Sequence, residues 1–130
     1  MAVVITSQVL YDGVRNLVMQ VQGVSDGTND TVPIVHLADL NPVPQGVKVM
    51  CITYDVPFGI VRLTYEGDEP VQIADCDGWN SLDFTKFGGV VNTIGAPADN
   101  NSNGDILATT MGFEAGCTFN IKLEMIKKYP

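Results

Sequence analysis

The feature that most constrains this chain is the strict alternation near its end. Phe119, Ile121, Leu123 and Met125 fall on one parity, while Thr118, Asn120, Lys122 and Glu124 fall on the other. Successive side chains of a strand point to opposite faces, so this segment reads as a strand with one face in a core and one in water. Upstream, NGDILATTMGF is rich in Thr and aliphatic residues, opening at Asn103-Gly104-Asp105 and closing at Gly112. Joined through Glu114-Ala115-Gly116-Cys117, the two segments predict a long antiparallel hairpin over Asn103–Lys127.

The rest of the chain repeats this pattern. Residues 2–10 (AVVITSQVL) predict an opening strand, either an edge or an arm reaching a neighbour, before a turn at Tyr11-Asp12-Gly13. Arg15–Val24 places Leu17, Met19 and Val21 on one parity, a second half-buried strand. Pro33 restricts Val32–Leu37 to an edge strand or strand start, and ADLNPVPQG at Ala38–Gly46 predicts an extended loop. Val47–Tyr54 is apolar on both parities, which predicts a central strand covered on both faces. Pro57-Phe58-Gly59 breaks it, and Ile60–Tyr65 returns. Val71–Ala74, Trp79–Phe84 and Val90–Ile94 are shorter strand candidates, separated by turns at Glu66–Pro70 and Asp75–Gly78. GAPADNNSNG, residues 95–104, has the composition of a surface loop. No segment holds a 3.6-residue period over ten residues. Eight or nine strands with regular turn signals predict a single all-β domain over residues 1–130. The expected architecture is a two-sheet antiparallel β-sandwich, jelly-roll-like, with extended terminal arms.

Charge and cysteine content exclude several roles. Seven basic residues stand against fifteen acidic ones, for a net charge of -8, and ten of the acids lie in residues 66–130. An acidic body repels a phosphate backbone, so nucleic acid is not an expected partner. Cys51, Cys76 and Cys117 are odd in number, widely spaced and form no CxxC pair, so neither a disulfide framework nor a zinc site is indicated. Cys51 and Cys117 fall in or beside strand-like runs and read as small core residues; one disulfide remains open. MAVVITSQVLYDG lacks a basic region, and its apolar run is too short for a signal or a membrane span, which favours a protein made or assembled in a cytoplasm.

Constellations that carry chemistry are weak. His36, the sole histidine, lies in an apolar run and reads as structural; no cysteine setting suggests an activated thiol, so no enzyme is expected. Nothing in the pattern calls for a cofactor or a metal. Asp26–Asp30, Glu66–Glu69 and Asp99–Asp105 are acidic loops of the kind that hold calcium, but none follows the EF-hand spacing. Asp75 and Asp77 alternate around Cys76, which puts both carboxylates on one side. Trp79 with Tyr54, Tyr65 and Phe58 is a candidate platform for stacking sugars.

Four stretches together resemble a family of small virion structural proteins of tailed bacteriophages. They are YDGVRNLVMQVQGVSDG at 11–27, ITYDVPFGIVRLTYEGD at 52–68, LDFTKFGGVVN at 82–92, and GDILATTMGF…CTFNIKLEMIKK at 104–128. The resemblance covers nearly the whole chain in register. It implies a capsid decoration, or cement, protein on the outer surface of the head. Such a protein would bind the major capsid protein as a dimer or trimer, without membrane or nucleic acid, after assembly in the host cytoplasm. The expected capsid contacts are Val3, Val4 and Ile5 in the N-terminal segment and Leu40, Pro42 and Pro44 in the loop. A tail or head–tail component is the nearest alternative. A carbohydrate- or calcium-binding adhesion module, carried by Trp79 and the loops at Asp26–Asp30 and Asn100–Asp105, is the alternative of another class.

Overall fold

The computed structural model describes residues 4–27, 30–67, 71–90 and 105–128. Seven strands run through them: β1 (Val4–Asp12), β2 (Asn16–Asp26), β3 (Asp30–Val35), β4 (Gly46–Tyr65), β5 (Val71–Asp83), β6 (Ile106–Met111) and β7 (Ala115–Lys128). All pairings are antiparallel, in the order β1-β2-β7-β4-β6-β3, with β5 on the other side of β4.

The chain is built around β4, not around its last two strands. The 20-residue β4 pairs with β7 through Gly46–Asp55 and with β6 through Ile60–Tyr65. The register jumps between Val56 and Val61, so β4 bends there and takes β5 with it. The bend curls one continuous sheet into two layers. β1, β2, β7, the first half of β4 and the end of β5 form one layer; β3, β6, the second half of β4 and the start of β5 form the other. This is the all-β, jelly-roll-like sandwich that the alternation predicts, with its layers joined through the bent hairpin. Gly59 makes the bend possible. Its φ of +82° belongs to the left-handed region, and a Cβ there would lie 2.4 Å from the Phe113 ring.

Three expectations change. The predicted Asn103–Lys127 hairpin does not form, because β6 and β7 pair with different stretches of β4 and not with each other. Alternation shows which face is buried; it does not choose the partner strand. The breaks expected at Pro57–Gly59 and Asp75–Gly78 are bulges inside two long strands, which lowers the strand count. The two apolar parities of Val47–Tyr54 come from a bulge between Val49 and Cys51, after which the buried set moves from Val47 and Val49 to Ile52, Tyr54 and Val56. β4 is therefore central but buries one face. From Val4 onward the N-terminal segment is an edge strand paired with β2, not a free arm. Val91–Ile94 and the 95–104 loop lie outside the described residues.

The core is one cluster drawn from both layers. Leu17, Met19 and Val21 of β2 face Phe119, Ile121, Leu123 and Met125 of β7, with Leu63, Tyr65, Ile106 and Ala108 from the other layer. Each fully buried aliphatic side chain contributes about 1.5–3 kcal/mol. At one end, Phe113 and Phe119 stack with centroids 5.6 Å apart and planes 5° apart. Each ring occupies the space above a glycine, Phe113 over Gly59 and Phe119 over Gly23. The expectation for the cysteines reverses: Cys76 is fully buried, whereas Cys51 and Cys117 are half-buried, and all three are free thiols.

Candidate interaction surfaces

The segments that carry the family resemblance mostly tie the fold together. The Lys127 side chain lies on the buried parity of β7 and is fully enclosed. Its Nζ donates to Asp12 Oδ1 and, at 3.1 Å, to the Pro42 carbonyl. Asp12 Oδ2 accepts the Asn41 amide at 3.0 Å. The Lys127 hydrogen bond and the Asn41 amide hold the Asp12 carboxyl below its ordinary pKa. The YDG turn and the final lysine pair thus clamp β1, β7 and the 40–45 loop together.

Asp105 forms a second clamp. Buried at the start of β6, it accepts the Leu37 amide at 2.9 Å, and its carbonyl accepts the Glu66 amide at 2.9 Å. The His36 side chain, read from the sequence as structural, is half-exposed, with Nδ1 3.1 Å from Asp105 Oδ2. The Tyr65 hydroxyl lies 2.8 Å from the Val47 carbonyl and 2.7 Å from that of Val90, joining β4 to the returning chain, and burial pushes its pKa up.

Cys76 and Cys51 are poor nucleophiles. Burial, then the Asp75 charge, pushes Cys76 up to about 12; burial and then Asp83 raise Cys51. Asp75 and Asp77 are both exposed on either side of buried Cys76, as the alternation predicts, and Asp75 makes a bidentate pair with Arg62 at 2.8 and 3.1 Å. Among the described residues no three His, Cys, Asp or Glu side chains gather as a metal site. Asp68 and Glu69 of the Glu66–Glu69 loop, residues 99–104 of the Asp99–Asp105 loop, and Thr28 and Asn29 of the Asp26–Asp30 loop lie outside the described residues.

Of the expected capsid contacts, Val3 and the Val4 side chain lie outside the described residues. Ile5 packs partly against the core, and Leu40 and Pro44 are buried, so neither of these two is offered to a partner. Pro42 is exposed, but the apolar side chain that this loop presents is Val43. Apolar exposure concentrates on β1 and its turn, at Val9, Leu10, Tyr11 and Val14. Val9 and Leu10 fall within the 2–10 segment expected to reach a neighbour, whereas Tyr11 and Val14 were missed because Tyr11-Asp12-Gly13 reads as a turn. Tyr11 also borders a shallow groove of about 490 Å³ with Val18, Met50 and Ile126.

The expected four-aromatic platform does not assemble. Tyr54 and Tyr65 are core residues, Phe58 sits in the bend, and Trp79 is 83% exposed on the outward face of the first layer. The strand registers place Trp79 beside Asp55, Asp55 beside Asn120, and Asn120 beside Gln22. The next row runs Ser81, Thr53, Lys122 and Gln20. Gln20 Nε2 donates to Asn120 Oδ1 at 3.0 Å. Two shallow grooves, of about 310 and 440 Å³, meet over Asp55 and Asn120.

No protein-family model and no curated protein sequence matches this chain. Solved structures give distant likenesses. A cupin domain from Bordetella pertussis Tohama I is 12% identical with a TM-score of 0.40, over 95% of this chain and 93% of that one. A cupin superfamily protein from Desulfitobacterium hafniense DCB-2 is 13% identical with a TM-score of 0.35, over 95% of this chain and 77% of that one. The family 11 carbohydrate-binding module of a Clostridium thermocellum cellulosomal cellulase is 11% identical with a TM-score of 0.36, over 100% of this chain and 85% of that one.

Proposed function

We propose that this chain is a structural subunit of a phage virion, a decoration protein that docks on the outer surface of the head and bridges neighbouring capsid subunits. The reading begins from the sequence resemblance, and the observation that carries it is the contrast between β1 and the other two strands that pair on one side only among the described residues, β3 and β5. β3 is a defended edge, six residues long with Asp30 at its start and Pro33 within it, and β5 carries Asp75, Asp77 and Asp83 along its length. β1, at the other end, is nine residues long, and from Val4 to Tyr11 it has no charged residue and no proline. Long, uncharged edges are templates for strand addition, and soluble proteins normally block them. Val9, Leu10 and Tyr11 stay exposed beside that edge, so pairing would bury apolar surface together with backbone hydrogen-bonding groups. Individually weak contacts of this kind resist internal DNA pressure when repeated around a shell.

The experiment is cryo-electron microscopy of the native virion, paired with occupancy measurements on purified heads lacking the protein. Regular outer-surface density with β1 against capsid protein is the expected result, along with loss of occupancy for Val9→Lys and Leu10→Lys variants that melt normally. Density confined to the neck or tail would replace the decoration role with a head–tail one. Unchanged occupancy of both variants would remove β1 as the contact.

A further inference from the structure

We propose that the outward face around Trp79 is a binding site for a neutral oligosaccharide, a pyranose ring stacking on the indole while the adjoining amides and carboxylate read its hydroxyls. The proposal is independent of where the protein sits in a virion.

An indole that is 83% exposed leaves a large apolar face in water, and the outward residues beside it on β4 and β7, Asp55, Thr53, Asn120 and Lys122, are all polar. Folding gains almost nothing from Trp79 there, because its neighbours on the face are Asp55 and Ser81 and the core lies on the other side of the sheet. An indole at the rim of a polar groove offers what the apolar face of a sugar requires: the sugar's C–H groups meet the electron-rich ring while its hydroxyls project sideways.

The groups beside the ring complement hydroxyls. Asp55 is exposed and has no hydrogen-bond or ion-pair partner among the described residues, which leaves both oxygens to accept from a vicinal diol. Asn120 is oriented by the bond from Gln20 to its Oδ1, so its amide N–H groups remain free to donate. Thr53 and Lys122 complete the groove. From Trp79 across Asp55 and Asn120 to Gln22 is three strand spacings, about 14 Å, the length of a short oligosaccharide. The two grooves meeting over Asp55 and Asn120 continue the track in that direction.

Charge selects among saccharides. A chain of net charge -8 disfavours uronic, sialylated or sulfated polymers, and the sole cation in the groove, Lys122, is balanced by Asp55 two ladder positions away. The shallow, open grooves give a weak single site, with Kd on the order of 1 mM, which repetition on a multivalent particle would raise.

Trp79 is the chain's sole tryptophan, so indole emission reports on this site alone. The probes are gluco-, manno-, galacto- and N-acetylglucosamine tetrasaccharides, each titrated to about 10 mM, with sialyllactose as the charged control. Emission and the side-chain amide resonances of Asn120, Gln20 and Gln22 would be followed together. The expected result is a saturable blue shift with at least one neutral sugar, matched by amide shifts, and none with sialyllactose. Asn120→Ala should weaken binding several-fold by emission. Trp79→Ala, read through the amide resonances, should weaken it about tenfold. Silence from all four neutral sugars, or an affinity left unchanged by Trp79→Ala, overturns the proposal. Both substituted positions are exposed, so melting temperature should not move.

Discussion

Lys127, second to last of the described residues, donates its buried ammonium to Asp12 at the end of the first strand, and through it the two ends of the chain hold one another. The same ammonium reaches the Pro42 carbonyl, while Asp12 also holds the Asn41 amide.

This arrangement predicts an acid-sensitive closure. The Asp12 carboxyl titrates below its ordinary value of 3.8 when folded. Its contribution is therefore fully present above the unfolded pKa and is lost as pH falls through the folded one. The wild type should be more stable than Asp12→Asn at pH 7, and the two should converge as pH drops below about 4. Parallel unfolding curves across that range would show that the pair contributes nothing.

Removing the cation should cost more than removing a surface charge. Lys127→Met leaves Asp12 facing an apolar group, and a loss of about 2–3 kcal/mol is expected, below the value for a wholly buried pair because Asp12 retains some water contact. Urea titration at pH 7 measures it. Adding Asp12→Asn to Lys127→Met should then cost little more, since the orphaned charge is gone.

Gly23 is held small by Phe119. A Cβ at position 23 would lie 2.3 Å from the Phe119 ring, and that ring is stacked on Phe113 and cannot simply turn away. Gly23→Ala should destabilise the fold by about 1–3 kcal/mol. In the Gly23→Ala background, Phe119→Leu should be less damaging than it is in the wild type, and denaturant curves of the four proteins test the coupling.

Tyr65→Phe removes a hydroxyl within hydrogen-bond reach of the Val47 and Val90 carbonyls. A loss of about 1–2 kcal/mol is expected with little change in shape, along with faster amide exchange at Val49 and Val90, whose mutual bridge this hydroxyl supports.

Thiol labelling checks the core from another side. With its thiol buried and raised to about 12, Cys76 should resist iodoacetamide at pH 8 in the folded protein and react once it is unfolded. Mass spectrometry should find Cys117 modified before Cys51, whose thiolate burial and Asp83 disfavour. Rapid native labelling of Cys76 would contradict the described packing.

Much of the fold was legible because burial in a sheet has a period of two. Leu17, Met19 and Val21, like Phe119 through Met125, are buried as their parity requires. Two things were not legible. Partner choice was hidden because β6 and β7 look alike to an alternation argument, although they meet opposite halves of β4. Bulges were hidden because an inserted residue at Met50 shifts parity and imitates a strand covered on both faces. One signal was present and unread: the apolar parity of β7 continues past Met125 to Lys127, and a lysine in that position needs a buried acceptor. At the surface, Trp79 was identifiable as a candidate, but its separation from Tyr54 and Tyr65 depends on which face each occupies on either side of the β4 bulges.

The unequal sheet ends also govern how far any assembly grows. If a second edge were open, β1 of one copy would meet β3 or β5 of the next, and repetition of that head-to-tail contact would give a fibre without limit. Asp30 and Pro33 close β3 to this use, and Asp75, Asp77 and Asp83 oppose it along β5. A copy that pairs through β1 with another β1 completes a twofold pair, and one that pairs with a foreign strand is capped by it. In both cases the product is finite.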